Sequence, residues 1–384
     1  MHKKLCVCAL TLLAPLSFAG AWHLSLPAAA QTGPTDVLVS GPSAVVDPEF
    51  DQQFARFTWN DDKGNVWIGT VDPATGDFLP PAGNNTLVDT GAVPVAVSGN
   101  GPEWVYTAAG PQIVYTKYGT NGRIAVARAQ ENGSGWAGGI IENGENRTFP
   151  IGSQDRRDPA PRLSYVGRNS AGKQVTLWRE LDDAASEVEV PNALPPGGRW
   201  VPGRRELVFI GKAGRGRQAF RYDVDSRQLE QLTDDAGQKF NILMWQAPEF
   251  DDEYVFFTLT DETSIGVYRK IEGTWTKINT LKPPAAGQYL WSPEVFVHNG
   301  KSYIFMVTST SRDQNSRTVP TDIWMAGIEP DAPFYRQVSD TTLKVRKDPE
   351  VFITAQGPYI YYLALPDPQT STIYRADTGL GAAR

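Results

Sequence analysis

Cysteine is nearly missing from this chain. Its two cysteines, Cys6 and Cys8, both lie in an N-terminal stretch that reads as a removable leader. The remaining polypeptide is therefore expected to hold no disulfide and no thiolate nucleophile. Histidine is almost as scarce: of three, only His298 lies well beyond the first residues. A Ser-His-Asp triad would have to use His298, and a zinc site built from several histidines cannot be assembled. His298 directly precedes Asn299-Gly300, and the simplest reading places it on a solvated hairpin. No Gly-x-Ser-x-Gly elbow occurs, which excludes a serine hydrolase domain of that type. GKAGRG at 211–216 has the composition of a phosphate loop but joins two strand-like runs, so phosphate binding is excluded by context. No segment sustains a helical period between caps. The net charge of −7 gives no reason to expect nucleic acid as a partner.

The leader reading rests on His2-Lys3-Lys4, the apolar run at residues 5–19, and small-residue sites at 19–21 and 28–30. The run is shorter than the ~20 residues of a comfortable span, and this is the pattern of a secretory signal. Cleavage is expected before Gln31, with Trp22 as the other candidate. That leaves one domain at 31–384, secreted or periplasmic, with no integral membrane segment.

What the chain has in quantity is turn residues and aromatics: 36 Gly, 29 Pro, 11 Trp and 14 Tyr, the composition of an all-β protein. One phrase recurs. LWSPEVFVHNGKSYIFMVTS at 290–309 is strand, tight Asn-Gly turn, strand. DPEF begins at Asp47, GPEW at Gly101, DPAPRL at Asp158, APEF at Ala247 and DPEV at Asp348, with a degenerate copy, WVPGRRELVFIG, at Trp200. The spacing falls in the range of about 40–50 residues typical of propeller blades. The expected fold is a β-propeller of four-stranded blades, about seven of them with six to eight open. Segments 78–100, 131–157 and 311–321 read as surface loops inserted between repeats. The seventh repeat lacks its outer strand, so the otherwise unused strand at Val37 to Val39 is expected to close the ring. Strands at regular spacing would also suit a β-sandwich.

WVPGRRELVFIGKAGRGRQAFRYDVDSRQLEQLTDD, from Trp200 to Asp235, resembles the blades of TolB-like propellers. Leu207-Val208-Phe209, Phe220-Arg221-Tyr222-Asp223 and Leu232-Thr233-Asp234-Asp235 match that family's second strand, third strand and blade end in order. A local resemblance links SPEVFVHNGKSYIFMVTS and the blade starts at Asp47 and Asp348 to the five-bladed glycosidases of families 32, 43 and 62. That resemblance implies an Asp base, matched here by Asp47, and a second, orienting Asp, matched by Asp158. The family's acid has no counterpart among these blade starts.

Read from the residues alone, the carboxylates Asp47, Glu49, Glu103, Asp158, Glu249, Glu294, Asp348 and Glu350 sit at blade starts. First strands line a propeller's channel, so these groups would form an acidic ring with raised pKa values unless a cation neutralises them. Such a ring would bind a ligand; no cofactor is required, and Ca²⁺ is the ion that oxygen-only ligands suit. The competing reading is that each Glu bonds the backbone of the next blade. The tryptophans, among them Trp59, Trp67, Trp178, Trp245, Trp291 and Trp324, read as wedges between blades. The expected function is an exported, non-enzymatic, monomeric propeller that binds a protein or carbohydrate partner. The alternative is a glycoside hydrolase working through its funnel carboxylates.

Overall fold

The computed structural model describes residues 35–40, 45–95, 100–117, 122–130, 135–141, 144–155, 160–330, 334–365 and 371–384. These belong to one compact unit, Pro34–Arg384; the leader lies outside the described residues. Seven antiparallel sheets follow one another along the chain, and the fold is a seven-bladed β-propeller. Among the described residues the α-helical content is negligible, with one 3-10 turn at Pro248–Phe250.

Each blade is a meander whose first strand is innermost. These inner strands are Glu49–Asp51, Glu103–Thr107, Thr148–Gly152, Arg199–Trp200, Lys239–Ala247, Tyr289–His298 and Val345–Thr354. The second strands carry runs of buried residues, as in Phe57-Thr58-Trp59, Leu163-Ser164-Tyr165 and Ile304-Phe305-Met306. Both faces of a blade pack on neighbours, so the second strands are almost continuously buried.

The core is divided among the seams between blades. Trp245, Phe257 and Leu259 of blade five pool with Ile304 and Met306 of blade six. Phe57 and Phe78 of blade one pool with Phe352 and Tyr361 of blade seven, Phe78 stacking on Tyr361 at 5.7 Å between ring centroids. Tryptophans stitch the seams as expected of wedges: the Trp104 indole donates to Glu49 O at 2.8 Å, and the Trp245 indole to Ser302 Oγ at 2.9 Å.

Two of the expected insertion loops carry missing strands. Segment 78–100 contains Phe78–Leu79 and Thr86–Asp89, which pair with Val66–Val71 as the outside of blade one. Segment 131–157 contains Trp136–Ile140, the outer strand of blade two, and Thr148–Gly152, the inner strand of blade three. Both are short and interrupted by Gly or Pro, which hides the alternation that identifies a strand. Segment 311–320 is a loop, joining Lys301–Ser309 to Thr321–Gly327.

The ring closes through the N-terminal strand, one residue earlier than expected: Asp36–Leu38 pairs with Thr372–Asp377 as the outer strand of blade seven. Three paired residues are too few to hold an edge alone. Val39 N–H donates to Ile373 O at 2.9 Å, and Ile373 N–H donates to Ser40 Oγ at 2.7 Å. The larger anchor is electrostatic. The buried Asp36 carboxylate receives Arg346 Nη2 and Lys344 Nζ, each at 3.0 Å, and accepts Asp340 N–H at 2.8 Å. Arg346 is itself fully buried.

Removing one partner of a buried ion pair leaves the other uncompensated, at a cost of about 3–5 kcal/mol. Asp36→Ala should lower stability by about that amount in urea titration. A chain starting at Ser43 should melt well below one starting at Gln31. Equal melting temperatures would mean that the terminal strand closes nothing.

Candidate functional site

The site is built by a defect repeated in the inner strands. Proline has no N–H for the ladder, and it is accommodated where two residues of one strand oppose a single partner. In blade six Trp291 pairs with Val307 and Glu294 with Phe305, so Ser292-Pro293 bulges opposite Met306. In blade seven Asp348-Pro349 bulges between the pairs Lys347–Leu363 and Glu350–Tyr361. In blade three Phe149-Pro150 does so between Thr148–Val166 and Ile151–Ser164. The residue before each proline takes a left-handed conformation: φ is 44° at Ser292, 46° at Asp348, 61° at Phe149 and 52° at Asp47. Such conformations cost about 1–3 kcal/mol each for non-glycine residues. The bulge shifts the strand's alternation by one, and the residue after the proline turns toward the axis.

Seven structurally equivalent positions result, identified by their pairing with the middle residue of the second-strand triplet. They are Glu49 opposite Thr58, Glu103 opposite Val114, Ile151 opposite Ser164, Arg199 opposite Val208, Ile242 opposite Thr258, Glu294 opposite Phe305 and Glu350 opposite Tyr361. Four glutamates, one arginine and two isoleucines thus make one ring. The tryptophans after two of these positions lock it from behind: Trp104 bonds the Glu49 carbonyl, and Trp200 donates to Ile151 O at 3.3 Å.

The ring opens on a central cavity of about 540 Å³. Glu49, Glu103, Arg199, Glu294 and Glu350 line it together with Phe50, Phe296, Trp200, Leu243, Met244 and Trp245. Acid is concentrated on blades six, seven, one and two, and the apolar wall on blades four and five. Past the ring, Ser153, Gln154 and Asp155 of blade three and the buried Arg162 line the same cavity. Arg162 stacks on Trp200 at 4.7 Å.

Four sequence candidates therefore converge at one level: Glu49, Glu103, Glu294 and Glu350. Asp47 and Asp348 flank them. The Asp47 carboxylate is engaged, accepting Gly101 N–H at 2.9 Å and holding the turn that presents Glu103. Glu249 does not join the ring. It lies in the 3-10 turn that follows the inner strand of blade five, and its carboxylate accepts Ser302 N–H at 2.8 Å and Ser302 Oγ–H at 2.9 Å. It clasps blade five to blade six. The Ala-Pro-Glu-Phe phrase falls at the end of the inner strand; the equivalent position in that blade is Ile242. Asp158 lies outside the described residues, between the first and second strands of blade three. The blade start in that repeat is Phe149-Pro150-Ile151, so Asp-Pro at 158 is not the equivalent of Asp47-Pro48. Arg199 is the cavity-lining ring residue that sequence reasoning missed. Its blade has its proline at Pro202, past the ring position, so the recurring phrase does not point to it.

Charge at the ring is poorly balanced. At the ring level four glutamates meet one guanidinium, that of Arg199, which lies 3.9 Å from Glu103. Burial first, then repulsion from Asp47 and Glu294, push Glu103 up to about 7 against the relief given by Arg199. Burial raises Glu294 to about 7 with Arg199 opposing. Burial and then Asp47 raise Asp348 to about 7. Glu49 and Glu350 are held well above the ordinary carboxylate value by burial and then by neighbouring glutamates, Glu103 acting first on Glu49 and Glu294 on Glu350. Asp47 is raised by burial, offset by Gly101 N–H. Glu49, Glu294 and Glu350 keep some contact with channel solvent, which screens part of this repulsion. Among the described residues no three acidic or imidazole groups are placed to hold a metal ion between them.

No family model matches the sequence, and no curated protein matches it. Solved structures do resemble it. One is a Bacteroides uniformis protein assigned by inference as a 6-phosphogluconolactonase, with TM-score 0.52 and 11% identity over 88% of this chain and 95% of that one. Another is Saccharomyces cerevisiae Sqt1, with TM-score 0.50 and 9% identity over 89% of this chain and 98% of that one. TolB from Acinetobacter baumannii is also similar, with TM-score 0.40 and 13% identity over 85% of this chain and 80% of that one. At these identities the likeness is one of fold.

Carboxyls that are more basic folded than unfolded hold protons in the native state. Their stabilising contribution is complete below the unfolded value, 4.5 for glutamate, and is lost as pH rises through about 7. The chain should melt higher in mildly acidic than in mildly alkaline buffer. Glu294→Gln should raise the alkaline melting temperature and leave the acidic one unchanged. A melting temperature that rises with pH across that window would contradict the ring electrostatics.

Proposed function

We propose that this is an exported propeller, secreted or periplasmic, that binds a cationic group of a protein or glycan partner in its central channel. The observation carrying this reading is the ring: four of seven equivalent positions are glutamate and only one is a base. A cation entering there relieves repulsion among groups that are already desolvated, so the binding free energy comes largely from the site's own unfavourable electrostatics. The apolar wall of Leu243, Met244 and Trp245 supplies area for an aliphatic stem or a sugar face. Export is supported by the leader-like first thirty residues. Among the described residues no helix is long and apolar enough to cross a membrane.

A second reading, carboxylate-only glycoside hydrolysis with Asp47 as base and Asp158 as the family's second Asp, is favoured by one observation. Several channel carboxyls titrate near 7, the range that suits a general acid. On this reading Asp47→Asn lowers turnover of aryl-glycosides by about 10²–10⁴-fold.

The two readings separate in one set of measurements. Titration with lysine- and arginine-rich peptides, glucosamine oligomers, their N-acetylated neutral forms and Ca²⁺ is followed by tryptophan fluorescence and calorimetry, beside an aryl-glycoside screen. The expected result is saturable, salt-sensitive binding of the amine-bearing probes and not of the neutral ones. The double variant Glu49→Gln, Glu350→Gln should weaken it at least about tenfold, or 1.4 kcal/mol. Arg199→Met, which removes the resident cation, should strengthen it. Binding of no cationic probe, or binding indifferent to the ring substitutions, would overturn the proposal. Turnover of a glycoside that Asp47→Asn abolishes would establish the second reading.

A further inference from the structure

The seven ring positions carry their charges unevenly. Blade by blade they read Glu49, Glu103, Ile151, Arg199, Ile242, Glu294 and Glu350. Blades six, seven, one and two form an acidic arc. Blade four lies opposite the middle of that arc, as far round the ring from Glu49 as from Glu350. Ile151 and Ile242, both buried, separate its arginine from the arc on either side. The channel therefore has two poles, one anionic and one cationic.

The fold leaves the cationic pole open. Other arginines of this chain close on carboxylates. Arg147 donates to both oxygens of Glu187, at 3.0 and 2.6 Å. Arg346 reaches Asp36 at 3.0 Å and Asp340 at 2.6 Å. Among the described residues the Arg199 guanidinium makes no hydrogen bond, and its nearest carboxylate, Glu103, stays 3.9 Å away. That separation is beyond hydrogen-bond range. The side chain is 38% exposed, and the space it faces is the cavity it lines. Burial opposes its charge, and Glu103, Glu294, Glu49 and Glu350 together more than offset that. The glutamates thus hold Arg199 charged through the field of the channel and leave its N–H fork to whatever enters.

A planar guanidinium matches a carboxylate through two parallel N–H···O bonds. A carboxylate alone would enter against four glutamates, and an ammonium alone against Arg199. A molecule carrying both meets an opposite charge at each pole and adds no net charge to a desolvated site. Blade five, between Arg199 and Glu294 in the ring, presents Leu243, Met244 and Trp245 to the cavity. That apolar stretch gives area for a hydrocarbon stem joining the two charges. The volume of about 540 Å³ falls within the ~300–1,000 Å³ of small-molecule sites. We propose that the cationic group bound here belongs to a zwitterion, a ligand presenting an ammonium and, a short apolar stem away, a carboxylate. This rests on the reading of the channel as a cation site and adds the second pole. The glutamate arc takes the ammonium, and Arg199 takes the carboxylate. Free amino acids carry this chemistry, and so does a protein tail ending in lysine.

The test is calorimetric titration of the purified chain, near neutral pH, with ω-amino acids of graded stem length. Each is compared with the alkylamine and the alkanoate of the same length. The zwitterion of best length should bind at least about tenfold more tightly than its matched amine, the effect of one charge-assisted pair. Alkanoates should not bind. Arg199→Met should weaken the zwitterion about tenfold and strengthen the amine, so the two ligands respond with opposite sign. Arg199→Lys keeps the charge without the fork and should retain part of the preference; melting temperatures show that each variant is folded. A lysine-ended peptide with a free carboxylate, set beside its amidated form, distinguishes the two sources. Its binding as tightly as the free ω-amino acid assigns a protein tail, and binding of the free molecule alone assigns a small ligand. Alkylamines binding as tightly as zwitterions of equal length would overturn this inference and leave the cation-binding reading standing. Binding of neither would overturn both. Zwitterion affinity unchanged in the folded Arg199 variants would also overturn it.

Discussion

The absent N–H of proline, repeated in the innermost strands, is the constraint around which the site is organised. A strand that cannot donate at one position must bulge there, and the bulge turns the following residue to the axis. Because the same defect recurs at the same height in successive blades, side chains far apart in sequence meet at one level. Glu49 and Glu350 are 301 residues apart along the chain, yet the Glu49 carboxylate helps to raise that of Glu350. The left-handed residue before each proline stores strain that regular strands would not carry. Strain held in place by surrounding structure is a common mark of a functional position.

The ring sets stability against function. Four glutamates converging on one arginine are not a device for holding blades together; the hydrophobic seams and the tryptophan stitches do that. Where the fold uses carboxylates structurally, it satisfies them. Asp36 meets Arg346, Lys344 and an N–H, and Glu249 meets both the N–H and the hydroxyl of Ser302. The ring glutamates, held above the ordinary carboxylate value by burial with Arg199 the one base at their level, stand apart from this pattern. The contrast is the physical basis for proposing the channel, rather than the rim, as the binding site.

Closure and tethering occur at the two chain ends by different means. The N-terminal strand enters blade seven through backbone pairing and a buried charge cluster. The C-terminal residues return to blade six through the side chains of His298 and Asn299. The first is cooperative with the core. The second rests on a few polar contacts at one hairpin.

The class of fold was legible in the sequence because its signals are local. Alternating apolar residues, Gly and Pro punctuation and a recurring Pro-Glu phrase survive in any short window, and together they imply repeated blades and a ring closed by the first strand. Glu49, Glu103, Glu294 and Glu350 were also legible, since each follows a proline in the repeated phrase. Which further residues belong with them was decided by tertiary structure alone. Glu249 obeys the phrase but lies one turn past the strand, and Arg199 breaks the phrase but pairs at the ring position. A motif specifies an order of residue types; the register of the inner strand against the second decides which side chain faces the axis. That register is set by long-range packing, where one residue of slip carries a side chain from the channel to the wall.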